Sequence, residues 1–310
     1  MGEPSSVVFK ASDYYSPGYW PMWCIFGLLR LVSLLPYRAE LVLGRLLGRT
    51  IALTTGARRR RIVDLNLARC FPEKTLAARN RIKHACYQNI GISLIEMAIC
   101  WWWPAQKLQR MVDMEGREHI DAALNSGRGV ILLTGHFTSL EIGARLLALF
   151  MPVQVMYRTQ RNPLFDSYLY TKRCGYFVNT VSRKNTRQLI KGIKNRIPTW
   201  YAPDQDFRRE RNVFAPFMGI ATATITASAR LAQSSGAVML PYYPERKPDG
   251  SGYILRIGAP LAGFPSGDDL EDATRINRSI EKYVRQQPEN YMWIHQRFKT
   301  RPPGEAPFYP

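Results

Sequence analysis

The sequence predicts an α/β protein in which a mostly parallel or mixed sheet is flanked by helices, with a membrane-associated helix at its N-terminus. Three observations carry that expectation. From residue 128 onward, short apolar runs alternate with helical stretches, as strands do when crossover helices cover both faces of a sheet. Residues 38–56 and 75–100 place apolar side chains at helical spacing, the second stretch beginning after Pro72 and stopping at Trp101, Trp102, Trp103 and Pro104. Residues 19–36 are apolar apart from Arg30.

The N-terminal run reads YWPMWCIFGLLRLVSLLP, about the minimum length of a bilayer span, with Tyr14, Tyr15, Tyr19, Trp20 and Trp23 gathered at its start as interfacial aromatics are. A cleavable leader fits less well. The run follows Asp13 and a single Lys10, and no small-x-small site comes after it. The expectation is therefore an uncleaved membrane segment within an anchor region at 1–36, with an interfacial or buried amphipathic helix as the alternative. Arg38, Arg45, Arg49 and the run Arg58, Arg59, Arg60 and Arg61 follow, which by the positive-inside rule places the rest of the chain on the cytoplasmic side.

Residues 37–310 read as one catalytic domain, since no repeat, linker or low-complexity stretch interrupts them. Its strands are expected in GVILLTGH, VQVMYR from Val153, IPTWYAPD from Ile197, AVMLPYYPE from Ala237 and GYILRIGAP from Gly252. Helices are expected near 139–150, 162–176, 185–196, 223–235 and 269–286. The three tryptophans at 101–103 either pack the core or line an acyl-chain pocket.

Composition narrows the function. Hydrophobic residues at 46% against 22% charged support a substantial core and exclude overall disorder. Cys24, Cys70, Cys86, Cys100 and Cys174 are odd in number and form no CxxC pair, which argues against a disulfide scaffold or zinc module. The formal net charge of +19 calls for an anionic partner: nucleic acid, an acidic protein or lipid headgroups. The arginines at 58–61 are either a solvated helix face or a headgroup-contacting surface. A nucleic-acid partner is not expected, because no aromatic-basic interleaving or binding motif accompanies them. No metal-ligand spacing or phosphate loop occurs, so no metal or cofactor is expected.

The sharpest chemical candidate is the first strand-to-loop transition, Thr134, Gly135, His136, Phe137, Thr138, Ser139, Leu140 and Glu141. Gly135 permits a tight turn that puts His136 at the mouth of the sheet. Residues five apart on one helix point away from each other, so His136 must sit in the turn with Glu141 folding back from the next helix. That carboxylate would fix the imidazole tautomer, leaving the other nitrogen to take a proton from a substrate hydroxyl. The competing reading is a capping box, with Thr138 capping the helix, Glu141 bonding back to it and His136 merely buried.

The H-x4-E pattern after a hydrophobic strand is followed by YRTQRNPLFD (157–166), WYAPDQD (200–206), PYYPERKPDGSGY (241–253) and PENYMWIHQRFKTRP (288–302). In that order the segments resemble the late lipid A acyltransferases of Gram-negative bacteria, the lauroyl and myristoyl transferase family, from the N-terminal apolar run to Pro302. The resemblance implies an inner-membrane enzyme with its catalytic domain on the cytoplasmic side. It would move a fatty acyl chain, lauroyl in the branch it most resembles, from acyl carrier protein to the 3-hydroxyl of an acyl chain on the Kdo-linked lipid A precursor. It implies His136 as base and Glu141 as its orienter, with no acyl-enzyme, and it places Arg173 and Asp204 in the active site. Arg173 would pair with a phosphate, with Asp204 or with a developing oxyanion; otherwise it is a surface cation beside Lys172, and Asp204 a turn acceptor after Pro203. Arg158, Arg161, Arg208, Arg209 and Arg211 are weaker phosphate candidates, Asp206 would steady their loop, and His84, His119 and His295 read as structural. An acyltransferase acting on another lipid and a basic non-catalytic peripheral membrane protein are the alternatives.

Overall fold

The computed structural model describes residues 9–206 and 212–310. Among the described residues, two short 3-10 turns (Ala11–Tyr14 and Pro17–Tyr19) lead into four α-helices: α1 (Trp20–Val32), α2 (Tyr37–Thr54), α3 (Ala57–Cys70) and α4 (Leu76–Trp102). Thr75 caps α4, its hydroxyl accepting the Ala78 N–H at 3.2 Å. The α2–α4 crossing is set by glycine. A Cβ on Gly91 of α4 would collide with backbone atoms of Gly44 and Gly48 of α2, so the helices meet backbone to backbone.

The expected spanning segment is not present in this form. α1 has 13 residues, about 20 Å at 1.5 Å per residue against a hydrocarbon core of about 30 Å. Among the described residues, no helix is long and apolar enough to cross a membrane. The apolar run breaks where the Ser33 hydroxyl donates to the Arg30 carbonyl at 2.7 Å and Pro36 precedes α2. Phe26 is the buried residue of α1, edge-on to Trp101, while Ile25, Leu28, Leu31 and Leu34 are exposed.

Beyond the short α5 (Ala105–Gln109), strands and helices alternate: β1 (Val112–Glu115), α6 (Arg117–Asn125), β2 (Val130–Leu133), α7 (Leu140–Leu147), β3 (Gln154–Tyr157), α8 (Pro163–Cys174), β4 (Asn179–Ser182), α9 (Thr186–Lys194) and β5 (Thr199–Tyr201). A hairpin, β6 (Asn212–Phe217) and β7 (Ile220–Ile225), leads to α10 (Ala227–Ser235), β8 (Val238–Arg246), β9 (Tyr253–Ile257) and α11 (Asp269–Gln286). Among the described residues, seven strands form one sheet in the order β1-β9-β8-β2-β5-β3-β4. The five from β8 to β4 are mutually parallel, and β9 runs antiparallel to β8 with β1 parallel to β9. The sheet is thus mixed and mostly parallel, as expected. β2 shows why its strands read as continuous apolar runs: Ile131 and Leu133 enter one apolar cluster, Val130 and Leu132 the other, and all four are fully buried.

Candidate active site

The central register brings two distant residues together. β2 and β5 are parallel neighbours with Leu133 opposite Tyr201. His136 lies three residues beyond Leu133 and Asp204 three beyond Tyr201, so equal extension delivers both to the carboxyl-end mouth of the sheet, where open α/β sheets place their ligands. His136 Nδ1 lies 2.5 Å from Asp204 Oδ1, and the His136 backbone N–H donates to Oδ2 at 2.8 Å. The Tyr291 hydroxyl donates to the same Oδ2 at 2.9 Å.

Burial acts to raise the Asp204 pKa, yet the charge of His136, the hydrogen bonds from it and the positive charge of Arg297 outweigh burial and hold the carboxyl well below the usual range. An ionised carboxylate only accepts, so the tautomer assigned to His136 carries its proton on Nδ1 and leaves Nε2 to a substrate. The His136 side chain keeps 24% of its surface exposed against 2% for Asp204, which leaves the imidazole reachable and its carboxylate partner enclosed.

Glu141 is therefore not the partner of His136 that its spacing suggested. Its carboxylate faces Arg173, which donates from Nε to Oε1 at 3.1 Å and from Nη2 to Oε2. The Tyr176 hydroxyl reaches Oε1 at 3.4 Å. Arg173 in turn is bound to neither Asp204 nor open space; its fork is filled by Glu141 and its guanidinium lies 5.6 Å from the Tyr157 ring centroid. Burial lowers the Arg173 pKa, but Glu141 more than reverses that. The pair ties the first turn of α7 to the last turn of α8.

The capping box is not formed either. Ser139 occupies the N-cap of α7 without a side-chain cap bond and donates its hydroxyl to the Pro244 carbonyl at 2.6 Å. Thr138 Oγ1 accepts from Arg246 Nη1 at 2.9 Å, and its carbonyl accepts from Nη2 at 3.0 Å. Arg246 is itself gripped by the buried Glu96 through Nε at 2.6 Å and Nη2 at 2.7 Å. On its other side the histidine turn is laced to the tail: Thr138 N–H donates to Asn290 O at 2.7 Å and Met292 N–H to His136 O at 3.0 Å. Sequence reasoning missed Tyr291, Arg246 and Glu96, whose only signal was position inside segments already singled out (Tyr291, Arg246) or a lone acid in an apolar helix (Glu96).

His295 is not remote from this site. Its ring centroid lies 5.5 Å from that of His136, and burial, followed by the charge of His136, pushes its pKa down to about 4. It is therefore uncharged at neutral pH. His295 also lines a cavity of about 570 Å³ with Arg58, Arg59, Arg158 and Lys299. Arg161 is exposed on the loop before α8. Asp206 holds the tail, accepting from the Thr300 N–H at 2.6 Å and its hydroxyl at 2.9 Å. Arg208, Arg209 and Arg211 lie outside the described residues. Among the described residues, no group of His, Cys, Asp and Glu has metal-binding spacing.

A histidine–carboxylate pair at the carboxyl mouth of a mixed α/β sheet is an arrangement that can take up and release a proton at the imidazole. Residues 9–300 match the bacterial lipid A biosynthesis acyltransferase family, and the chain belongs to that family. It is 38% identical to the lipid A biosynthesis lauroyltransferase of Escherichia coli K12 over 93% of this chain and 94% of that protein. It is 35% identical to the palmitoleoyltransferase of the same organism, over 96% and 97% of the two chains. The myristoyltransferase of that organism is 29% identical over 96% and 92%.

Proposed function

We propose that this protein transfers a fatty acyl chain, lauroyl by preference, from an acyl carrier protein thioester to the hydroxyl of a hydroxyacyl chain on the Kdo-linked lipid A precursor. The observation that carries this reading is the His136–Asp204 pair, which leaves Nε2 as a base at the sheet mouth. Nε2 takes the proton of the acceptor hydroxyl as its oxygen attacks the thioester carbonyl. The tetrahedral intermediate collapses, the carbon–sulfur bond breaks, and the thiolate takes the proton back from the imidazolium. Asp204 compensates the transient charge, as the carboxylate of a catalytic triad does. Glu141 and Arg173 act as positioning residues that clamp α7 to α8.

Both substrates are anionic, and the cavity beside His295 offers Arg58, Arg59, Arg158 and Lys299 to an acceptor phosphate or carboxylate. Preference for lauroyl is supported by the higher identity to the lauroyltransferase. The protein would work on the cytoplasmic face of the bacterial inner membrane, held by the exposed apolar side chains of α1 and α2 with interspersed arginines.

The test is direct. Purified protein given lauroyl, myristoyl and palmitoleoyl carrier-protein thioesters in competition should release carrier thiol only with acceptor present, and the acceptor should gain one lauroyl mass by mass spectrometry. Thiol release without acylated acceptor would sink the reading, and preferential uptake of a longer chain would remove the lauroyl assignment.

A further inference from the structure

Between Asp166 and Asp204 the chain carries eight Lys or Arg and no Asp or Glu. Six of those cations, Arg183, Lys184, Arg187, Lys191, Lys194 and Arg196, are exposed on α9 and on the loops at its two ends. Among the described residues none of the six is ion-paired. At about 100° per residue, Arg187, Lys191 and Lys194 fall within about 60° of one another, a single stripe opposite the buried Leu189 and Ile193.

The helix does not gain stability from this stripe. Like charges three or four residues apart repel, as Arg187 does with Lys191 and Lys191 with Lys194. The helix dipole favours Lys191 and Lys194 in the last turn but disfavours Arg187 in the first. Arg196 follows the Asn195 C-cap with φ at 61°, a left-handed position that glycine fills at least cost. An arginine there keeps a charge where the backbone would sooner have none.

Location selects the partner. β4 is an edge strand parallel to β3, β5 and β2, so the β4–α9 loop with Arg183 and Lys184 opens at the same end of the sheet as His136 and Asp204. Three strand spacings separate β4 from β2, about 14 Å. Leu189 and Ile193 of α9 pack with Ile131 and Leu133 on one face of the sheet, whereas Phe26 of α1 packs with Val130 and Leu132 on the other. A bilayer taking up the exposed leucines of α1 therefore lies across the sheet from the stripe, which leaves the stripe to a soluble anionic partner. We propose that α9 and the β4–α9 loop form the docking surface for the acidic carrier protein that delivers the acyl thioester, with carboxylates of the carrier meeting the six cations. That choice of occupant rests on the acyl-transfer reading.

The experiment measures, on the full chain, the Kd of fluorescently labelled acyl carrier protein by anisotropy across a salt series, and separately the partition into phosphatidylglycerol vesicles. Arg187→Gln with Lys191→Gln and Lys194→Gln should weaken the carrier Kd about tenfold or more and flatten its salt dependence, while vesicle partition stays within about twofold. Arg110, Arg278 and Lys282 are equally exposed; changed together to Gln, they should leave the carrier Kd within about twofold. Arg196→Gly should weaken it about twofold while the urea midpoint holds or rises. In turnover, the α9 triple variant should raise KM for the carrier thioester and leave kcat and the acceptor KM nearly unchanged. Equal weakening in the two triple variants would overturn the proposal as a general charge effect, and lost vesicle partition at an unchanged carrier Kd would give the stripe to the membrane instead. Stripe-dependent carrier binding without acyl transfer would sink the transfer reading and leave the docking surface standing. Acyl transfer with a normal carrier KM in the α9 triple variant would do the reverse.

Discussion

Arg173 holds Glu141 through both arms of its fork, joining helices that leave different strands, and each side chain keeps only 15–16% of its surface exposed. Removing one partner leaves a largely buried charge uncompensated, which typically costs about 3–5 kcal/mol. Glu141→Gln and Arg173→Met should each lower stability by that order in urea unfolding. The double variant should recover part of the loss, a coupling of about 1–3 kcal/mol. Additive losses would show that the two residues act separately.

Glycine at the α2–α4 crossing makes a sharper packing prediction. Any Cβ at Gly91 meets backbone of Gly44 and Gly48 rather than a side chain that could turn aside. Gly91→Ala should therefore destabilise by about 1–3 kcal/mol, beyond the modest gain alanine ordinarily brings to a helix. Gly27→Ala, where nothing lies within 4 Å, should be neutral or slightly stabilising. Equal effects at the two positions would contradict the close crossing.

Apolar periodicity located α2, α4 and α11 closely, and continuous apolar runs located β2, β3, β5, β8 and β9, because each buries a face that a period reveals. β1 and β4 have four residues each with mixed burial, and the β6–β7 hairpin carries neither a long apolar run nor strict alternation; none of these announced itself. The site was half legible for the same reason. His136 and Asp204 each stand after a recognisable strand, but their meeting depends on β5 inserting beside β2, and strand order is set by tertiary packing. Spacing along the chain favoured Glu141, which is near in sequence and engaged elsewhere in space.

Glu40 supplies a pH dependence. Burial pushes its carboxyl up to about 8, with Lys107 opposing. In the unfolded chain a glutamate ionises near ~4.3. Between those values the folded state binds more protons than the unfolded, so stability is present at low pH and falls as pH rises through the window. Glu40→Gln should flatten urea midpoints measured from about pH 5 to pH 8. An unchanged slope would remove Glu40 as its source.

The exposed leucines of α1 and the turn after it test the proposed surface docking. Leu28, Leu31 and Leu34 are each 63–65% exposed. Burying one leucine contributes about 1.5–3 kcal/mol, so changing all three to Glu should lower partition into anionic vesicles on the order of 10²-fold or more. Thermal stability should barely change, since none of the three is in the core. Undiminished partition would place the contact elsewhere.

The most direct test of the account is the turnover of Asp204→Asn at saturating substrates, measured beside its thermal unfolding. The amide preserves much of the shape, yet it cannot offset an imidazolium on His136 and permits the wrong tautomer. Turnover should fall on the order of 10² to 10⁴-fold, as for the orienting carboxylate of a serine-protease triad. His136→Ala should be at least as severe, and the double variant scarcely worse than the worse single one. Near-normal turnover in a folded Asp204→Asn protein would contradict the His136–Asp204 pair as the proton-transfer unit.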